Sequence, residues 1–356
     1  MRKIVFIALI SFAVGASAHH GTKGQFDHSK TMEVSGTVTK IRFVNPHSYV
    51  YFDSANEKGD VENWRCEMRA ATTLKRSGWS KEMFAAGTKI KIEGVPAFRE
   101  PTGCYVNTIA FDDGEVIERY QQFSEGLDYS AIKRPMRLAS GEPNISGDWA
   151  AQQRLPNTNA AVSAVALGKQ KRARHPAALT FDFEQTEAGT AASAGFKRED
   201  NPRFHCKATN ILFDWTFDQH INRIVQADDK ITMTYGFMDI VRTIHMDLDS
   251  HPENLEPSRA GHSIGKWEGD TLVVDTIGFA EGTLDGRSGA KHSDQLHIVE
   301  RYTLTPENAI LTREYEVSDP LYLKDAYKGV DEIFLSETVF EPYDCKDLTE
   351  EVVEGF

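Results

Sequence analysis

The chain lacks the motifs and the charge that mark several large protein classes. No G-x-G-x-x-G or P-loop motif follows a predicted strand, so the sequence does not predict a nucleotide cofactor. The formal net charge is −13 and no basic stripe is present to neutralise phosphates, which argues against a nucleic-acid partner. No apolar run reaches the ~20 residues that a transmembrane helix needs, so we expect no membrane span.

The longest apolar run lies at the start of the chain and has the form of an export signal. Arg2 and Lys3 precede an apolar stretch over residues 4–14, and Ala16-Ser17-Ala18 then supplies small residues at the positions that a signal peptidase reads. We therefore predict a signal peptide over residues 1–18, cleavage after Ala18, and a periplasmic or secreted protein that begins at His19.

Cysteine is also scarce, with four residues and no C-x-x-C spacing. This argues against a thiolate zinc site or a thioredoxin-like redox pair. An even number of cysteines in an exported protein favours disulfide bonds. Of the three possible pairings we favour Cys66–Cys104 with Cys206–Cys345, because each bond then stays within one predicted domain.

Alternating apolar and polar residues predict a first β domain over residues 19–113. Segments such as 33–41 and 89–95 alternate with the period of a half-buried strand, and residues 70–79 predict a short helix that ends at Gly78. Four or five short strands with one helix are typical of a small OB-like barrel. The polar residues 114–142 are interpreted as a linker.

A second, larger β domain is predicted over residues 143–356. It opens with Gly147-Asp148-Trp149, and a Gly-x-Trp of this kind is typical of the first strand of lipocalin-like barrels. Closely spaced strand patterns follow, which predict an antiparallel lipocalin-like β-barrel or sandwich. Residues 155–200 are interpreted as a helical excursion from it. The fold class is therefore mainly β.

Several motifs carry a family resemblance. Those of the first domain include His19-His20, Ser35-Gly36-Thr37-Val38, Asn45-Pro46-His47 and Arg76-Ser77-Gly78-Trp79, and those of the second include Arg242-Thr243-Ile244 and the block of residues 261–276. On these motifs the chain resembles a widespread family of bacterial exported proteins of unknown function. The resemblance covers most of residues 19–356 and implies no established activity.

The predicted amino terminus is a candidate metal site. Cleavage after Ala18 leaves a free amine on His19, next to His20, and such a nitrogen-rich set suits copper or zinc. His47, held by the Asn45-Pro46-His47 turn, is the third candidate ligand. The alternative is that the terminal residues are mobile and that His47 only bonds within its turn.

Ionisable residues within the second domain form the other candidate site. His262, His292 and Asp275 are the candidates for acid–base catalysis, with Arg242 binding an anionic group of the substrate. On strand period, Arg242 lies on the face opposite His245, and a buried Arg242 needs a partner such as Glu300 or Asp275. The alternative is a buried ion-pair belt or a solvated face without catalytic function.

Two other sets of residues in this domain bear on its function. Trp267, Glu300, Arg301 and Tyr235 are the candidate ligand-binding residues. Gly261-His262-Ser263-Ile264-Gly265 matches the letters of a nucleophile elbow, but a strand follows it where that motif needs a helix, so a Ser263 nucleophile is not favoured.

Three functions remain open on the sequence alone. The first is binding of a small, mainly apolar organic ligand in the second barrel. The second is a lyase, isomerase or hydrolase that works there without a nucleotide cofactor. The third is copper or zinc binding through His19, His20 and His47. The orientation of Arg242, His262 and Asp275 is expected to separate binding from catalysis.

Overall fold

The computed structural model of the chain describes residues 25–112, 114, 116–119, 134–150, 153–154, 161–162, 181, 183–197, 200–217, 220–305, 309–336 and 338–346. The predicted signal peptide and the histidines at positions 19 and 20 lie outside these residues. Within them the protein is mainly β and forms two barrels, which confirms the predicted fold class. No helix in the described part is long and apolar enough to cross a membrane.

The first barrel consists of one sheet that closes on itself. Its strands are β1 (Met32–Arg42), β2 (Tyr49–Ala55), β3 (Val61–Glu67), β4 (Lys89–Pro96), β5 (Gly103–Phe111) and β6 (Val116–Glu118). Strand order is β3-β2-β1-β4-β5-β6, and an additional parallel pairing of β3 with β5 closes five of the strands into a ring. β6 lies beyond residue 113, the predicted end of the first domain.

Local sequence explains how this barrel is filled. In β4, Ile90 and Ile92 are buried while the lysines beside them are exposed, as the alternation predicts. Helix α1 (Ala71–Arg76) places Leu74 in the core. It ends just before Gly78, whose φ of 85° is the left-handed conformation that glycine adopts without strain.

The second barrel has nine strands and closes completely. They are β7 (Gly147–Ala150), β10 (Ile221–Gln226), β11 (Lys230–Thr234), β12 (Val241–His245), β13 (His262–Glu268), β14 (Thr271–Ile277), β17 (His297–Thr305), β18 (Ile310–Ser318) and β19 (Tyr327–Leu335). The ring runs β10-β11-β12-β13-β14-β17-β18-β19-β7, and every neighbouring pair is antiparallel except β12 with β13. Trp149 of the Gly-x-Trp motif is fully buried on β7.

Shorter elements complete the described chain. They are the strands β8 (Gln153–Arg154), β9 (Ala161–Val162), β15 (Gly282–Thr283) and β16 (Lys291–His292), helix α2 (Glu187–Ser193), and 3-10 turns at Glu82–Phe84 and Pro202–His205. Helix α2 lies in the predicted helical excursion, most of which falls outside the described residues. Thr186 caps it by accepting a hydrogen bond from the Gly189 amide at 3.0 Å.

Residues 209–217 pack into the interior of the second barrel. Trp215 is buried, with its ring 5.1 Å from that of Tyr235 and 6.0 Å from that of Tyr302. The Ile211 carbonyl accepts hydrogen bonds from Tyr235 Oη at 3.1 Å and from Arg313 Nη1 at 3.3 Å. This segment and the inward side chains of the strands therefore fill the barrel core.

Both favoured disulfides are present. Cys66–Cys104 joins facing residues of β3 and β5, and Cys206–Cys345 ties the turn before residues 209–217 to the carboxyl-terminal segment. That segment also contacts the first barrel, since Asn45 Nδ2 donates to the Tyr343 carbonyl at 2.5 Å. The side chains of Thr72 and His220 form a second contact of 2.9 Å between the barrels.

Candidate functional site

A groove opens beside the parallel strand pair of the second barrel. β12 and β13 share only two residue pairs, Ile244–Ser263 and His245–Ile264, and β13 then continues to Glu268 without β12 beside it. Beyond this short pairing, which we call the β12–β13 seam, lies a groove of about 530 Å³. This volume falls within the range of small-molecule sites, roughly 300–1,000 Å³.

The groove has an apolar floor and a charged rim. Leu138, Ile231, Met246, Leu248, Trp267 and Val273 supply most of its apolar lining. Gly265 is needed at the seam because a Cβ there would lie 2.6 Å from the Ile244 side chain and 2.7 Å from Met246 Sδ. Met246 can approach this point of β13 because residue 265 is a glycine.

A cluster of imidazoles lies on the outer face of the barrel beside the groove. Period-two alternation turns His245 of β12, His262 of β13, Asp275 of β14 and His297 of β17 outward, while their neighbours point into the core. The loop over residues 246–261 adds His251 from above. Asp275 belongs to both features, since it also lines the groove.

Hydrogen bonds connect the cluster through one carboxylate. Asp275 Oδ1 lies 2.8 Å from His251 Nε2, and Asp275 Oδ2 lies 2.8 Å from His297 Nε2. The Nδ1 atoms of His251 and His262 are 2.8 Å apart. The ring of His245 stacks on that of His262 with a centroid distance of 4.9 Å.

The positions of the protons follow from these contacts. A carboxylate only accepts hydrogen bonds, so Nε2 of His251 and of His297 must each carry a hydrogen. With neutral imidazoles, His251 Nδ1 is then an acceptor, and His262 Nδ1 donates to it. His262 Nε2 is consequently left as an unprotonated base at the end of the Asp275–His251–His262 chain.

The pKa shifts agree with this assignment. Burial, together with the neighbouring His245 and His251, lowers the pKa of His262, which keeps its ring neutral at pH 7. Burial by itself would raise the pKa of Asp275, but the hydrogen bonds from His297 and His251 outweigh it and lower that pKa. The carboxylate is therefore ionised and orients the imidazoles.

Arg242 lies inside the barrel and not in this cluster. It is 1% exposed and donates to Ser263 Oγ at 2.9 Å, to Thr276 Oγ1 at 2.7 Å and to Glu300. The expected pairing of a buried Arg242 with Glu300 is thus present. Ser263 is buried in β13 as a partner of Arg242.

The buried charge network continues beyond Glu300. Glu300 Oε1 accepts from Tyr302 Oη at 2.8 Å and from Arg313 Nη1 at 3.1 Å, and Arg313 also pairs with Asp331 at 2.5 Å. Burial would raise the pKa of Glu300, but the two arginines outweigh it and lower that pKa. Arg242 and Glu300 therefore form a buried ion-pair belt, which was the alternative interpretation of these residues.

The other candidate residues lie apart from one another. His292 is 3% exposed on β16, its Nδ1 lies 3.0 Å from the Ser293 carbonyl oxygen, and burial lowers its pKa. Tyr235 is buried in the core. Trp267 lines the groove, and Arg301 pairs at 3.0 Å with Glu268 on the groove rim. The structure brings His262 together with Asp275, and neither Arg242 nor His292 joins them.

His251 and His297 were missed by the sequence analysis. His251 lies in an irregular loop, where no periodicity reports the direction of a side chain. Its position depends on the parallel β12–β13 pairing, because a parallel connection carries the intervening chain across the face of the sheet. For His297 a signal was available, because strand alternation turns it to the same face as Val299, which pairs with Asp275 in the structure.

The predicted metal site at the amino terminus stays a prediction. Within the described residues no group of three His, Cys, Asp or Glu side chains is arranged to hold a metal. His47 Nδ1 lies 2.6 Å from the buried Glu67 carboxylate, next to the cis Asn45–Pro46 bond. A carboxylate at Nδ1 is the usual support of a metal-binding histidine and leaves only Nε2 for a ligand.

Comparison with known proteins reaches the first barrel only. Residues 8–104 are similar to the model of a family described as "Family of unknown function (DUF6152)". The match ends at Cys104 in β5 and includes Asn45, His47 and Glu67, but none of the groove or imidazole cluster. No curated protein and no solved structure gave a match to the chain.

Proposed function

We propose that the protein binds a small, mainly apolar organic ligand in its carboxyl-terminal barrel, at the groove beside the β12–β13 seam. The observation that carries this proposal is the apolar floor of a groove of about 530 Å³ where the β12–β13 pairing ends. Trp267 offers the largest apolar surface there. Because residues 209–217 fill the barrel core, the ligand lies at the wall and not on the barrel axis.

A neutral fluorescent probe, N-phenyl-1-naphthylamine, tests the binding function. We expect saturable fluorescence enhancement with the wild-type protein and an affinity about tenfold lower in Trp267→Leu, equivalent to ~1.4 kcal/mol. Trp64→Leu is the matched control, since Trp64 stacks on Phe52 in the first barrel with a centroid distance of 6.2 Å. Equal probe affinity in the folded Trp267→Leu and Trp64→Leu variants would overturn the proposal, and so would the absence of saturable probe binding by the wild type.

Acid–base catalysis is the second candidate function, and the Asp275–His251–His262 chain favours it. Asp275 orients the His251 ring, and His251 in turn orients the His262 ring. His262 Nε2 is then held in place as a base for proton abstraction. The chemistry belongs to a lyase, isomerase or hydrolase that needs no nucleotide. Arg242 and His292 have no part in it.

The protonation state of His262 tests this second function directly. In nitrogen NMR of the imidazole side chains at pH 7, we expect His262 to be neutral with hydrogen on Nδ1 and none on Nε2. The His262→Gln variant identifies the His262 signal by its loss. In Asp275→Asn, His262 should no longer be restricted to the tautomer with hydrogen on Nδ1. A His262 that is charged at pH 7, or carries its hydrogen on Nε2, cannot act as this base.

A further inference from the structure

The rim of the proposed ligand-binding groove is strongly acidic. Among its lining residues only Lys266 is basic, whereas five carry carboxylates: Glu142, Asp228, Asp249, Glu268 and Asp275. An apolar floor below a negatively charged rim suits one kind of ligand, which has an apolar body and a single charged group. The floor determines where such a ligand lies, and the rim determines the sign of its charge.

Two of these carboxylates already have partners. Asp275 is shared by His251 and His297, and Glu268 pairs with Arg301 in an exposed contact of 3.0 Å. Within the described residues no ion pair involves Asp228 or Asp249. After these pairs are set aside, the groove still presents more carboxylates than the one ammonium group of Lys266 can balance.

Glu142 and Asp249 are two of the unbalanced carboxylates. A hydrogen bond from the Ser140 side chain lowers the pKa of Glu142, which favours its ionised form. Asp249 is exposed on the loop that covers the groove. A cleft lined by one sign of charge and walled by apolar side chains concentrates the field within it. The groove is therefore a site of negative potential.

Trp267 adds a second attraction for positive charge. The face of an indole ring attracts cations within about 6 Å of its centre, with an energy of roughly 0.5–2 kcal/mol. Trp267 is the aromatic residue of the groove lining, and Glu268 lies next to it in the chain. Successive residues of a strand point to opposite faces, so the partners for an ammonium group over the ring are the carboxylates that line the groove from other elements, Glu142, Asp228 and Asp249.

We propose that the ligand of this groove is an organic cation, with an apolar body and a protonated amine or quaternary ammonium group. This inference rests on the proposed binding function and adds the charge of the ligand to it. The apolar body lies over Leu138, Met246 and Trp267. The cationic group lies toward Asp249 and Glu142 on the rim.

Three probes with the same naphthyl body test the charge of the ligand. They are 1-naphthylmethylamine, which is cationic at pH 7, the neutral 1-naphthalenemethanol, and the anionic 1-naphthylacetate, each used to displace N-phenyl-1-naphthylamine from the wild-type protein. We expect the amine to bind about tenfold more tightly than the alcohol, and the acid more weakly than both. Added salt should weaken binding of the amine and leave that of the alcohol unchanged.

A pair of loop variants locates the effect. Asp247 and Asp249 are both exposed on the same loop, but only Asp249 lines the groove. Asp249→Asn should lower the affinity for the amine several-fold and leave the alcohol unaffected, whereas Asp247→Asn should leave both unchanged.

The outcomes separate the two proposals. If the amine and the alcohol bind equally, or the acid binds best, the cationic ligand is refuted while the binding function stands. If the fluorescent probe itself shows no saturable binding, the binding function fails and the cation proposal fails with it. An equal loss of amine affinity in the two loop variants would indicate long-range charge and refute recognition by the rim.

Discussion

Each barrel contains one parallel strand pair, and the two pairs are secured differently. In the first barrel β3 and β5 share three residue pairs, and a disulfide joins Cys66 to Cys104 within them. In the second barrel β12 and β13 share only two, and a side-chain hydrogen bond from Arg242 to Ser263 links them. The covalently joined pair closes a filled core, whereas the shorter pair leaves the groove. The groove therefore lies where the parallel pairing ends and β13 continues without β12 beside it.

The largest effect is expected from breaking the polar link of the second barrel. Arg242→Met removes the bonds to Ser263 and Thr276 and leaves Glu300 buried with one arginine fewer, which should cost about 3–5 kcal/mol of unfolding free energy. Urea denaturation of the variant and the wild type measures this loss of unfolding free energy. Arg301→Met is the control on β17, and its exposed pair with Glu268 should be worth less than about 1 kcal/mol. Similar losses in both variants would contradict a special role for Arg242.

Removal of the covalent link should weaken the first barrel by a comparable but smaller amount. Cys66→Ala with Cys104→Ala opens a loop of 38 residues, for which chain entropy predicts a loss of about 3–4 kcal/mol. The measurement is denaturation of the non-reduced double variant against the wild type. Probe binding at the groove of the folded variant should be unchanged. Loss of that binding would show that the barrels are coupled.

The barrels should also differ in ligand class, with metal at the first and an organic ligand at the second. A protein that begins at His19 with a free amine should bind Cu(II) at least about tenfold more tightly, ~1.4 kcal/mol, than the same protein with that amine acetylated, because acetylation removes one nitrogen ligand. Calorimetry of the two proteins measures this. His47→Ala should reduce the difference. Equal copper affinity with and without acetylation of the His19 amine would refute the amine-based site.

The smallest effect is a pH dependence confined to the second barrel. Because the pKa of His262 is lowered in the folded state, its contribution to stability is complete above its usual value of 6.5 and is lost as the pH falls through the lowered pKa. The physical reason is that burial disfavours the charged imidazolium, and the neighbouring His245 and His251 disfavour it further. His292 has a lowered pKa too and adds to the same window.

A comparison of variants isolates the His262 part of this dependence. Thermal denaturation between pH 7 and 5 should show a smaller loss of stability in His262→Gln than in the wild type, while His28→Gln in the first barrel should behave as wild type. The lowered pKa of Asp275 acts only below 3.8 and lies outside this range. An unchanged pH profile in His262→Gln would contradict the assigned hydrogen bonds.

Much of the fold followed from local pattern. Alternation in residues 241–246 placed Arg242 on the face opposite His245, and the structure has Arg242 buried and His245 turned outward. The even cysteine count and the predicted domain limits selected both disulfides. The candidate site was predictable in part: His262, Asp275 and Trp267 lie at the groove or beside it. Arg242, Glu300 and Tyr235 belong to the core, and His292 lies elsewhere.

What the amino-acid sequence determined by itself is the class of fold, the face of the strand on which each side chain lies, and the residue types available for chemistry. These depend on periodicity and composition, which are properties of neighbours in the chain. Only the tertiary structure decided that β12 pairs with β13 in parallel, that the pairing stops after two residues, and that His251 is carried over Asp275. Those contacts join residues far apart in sequence, and their energies depend on the distance between side chains that no local pattern specifies.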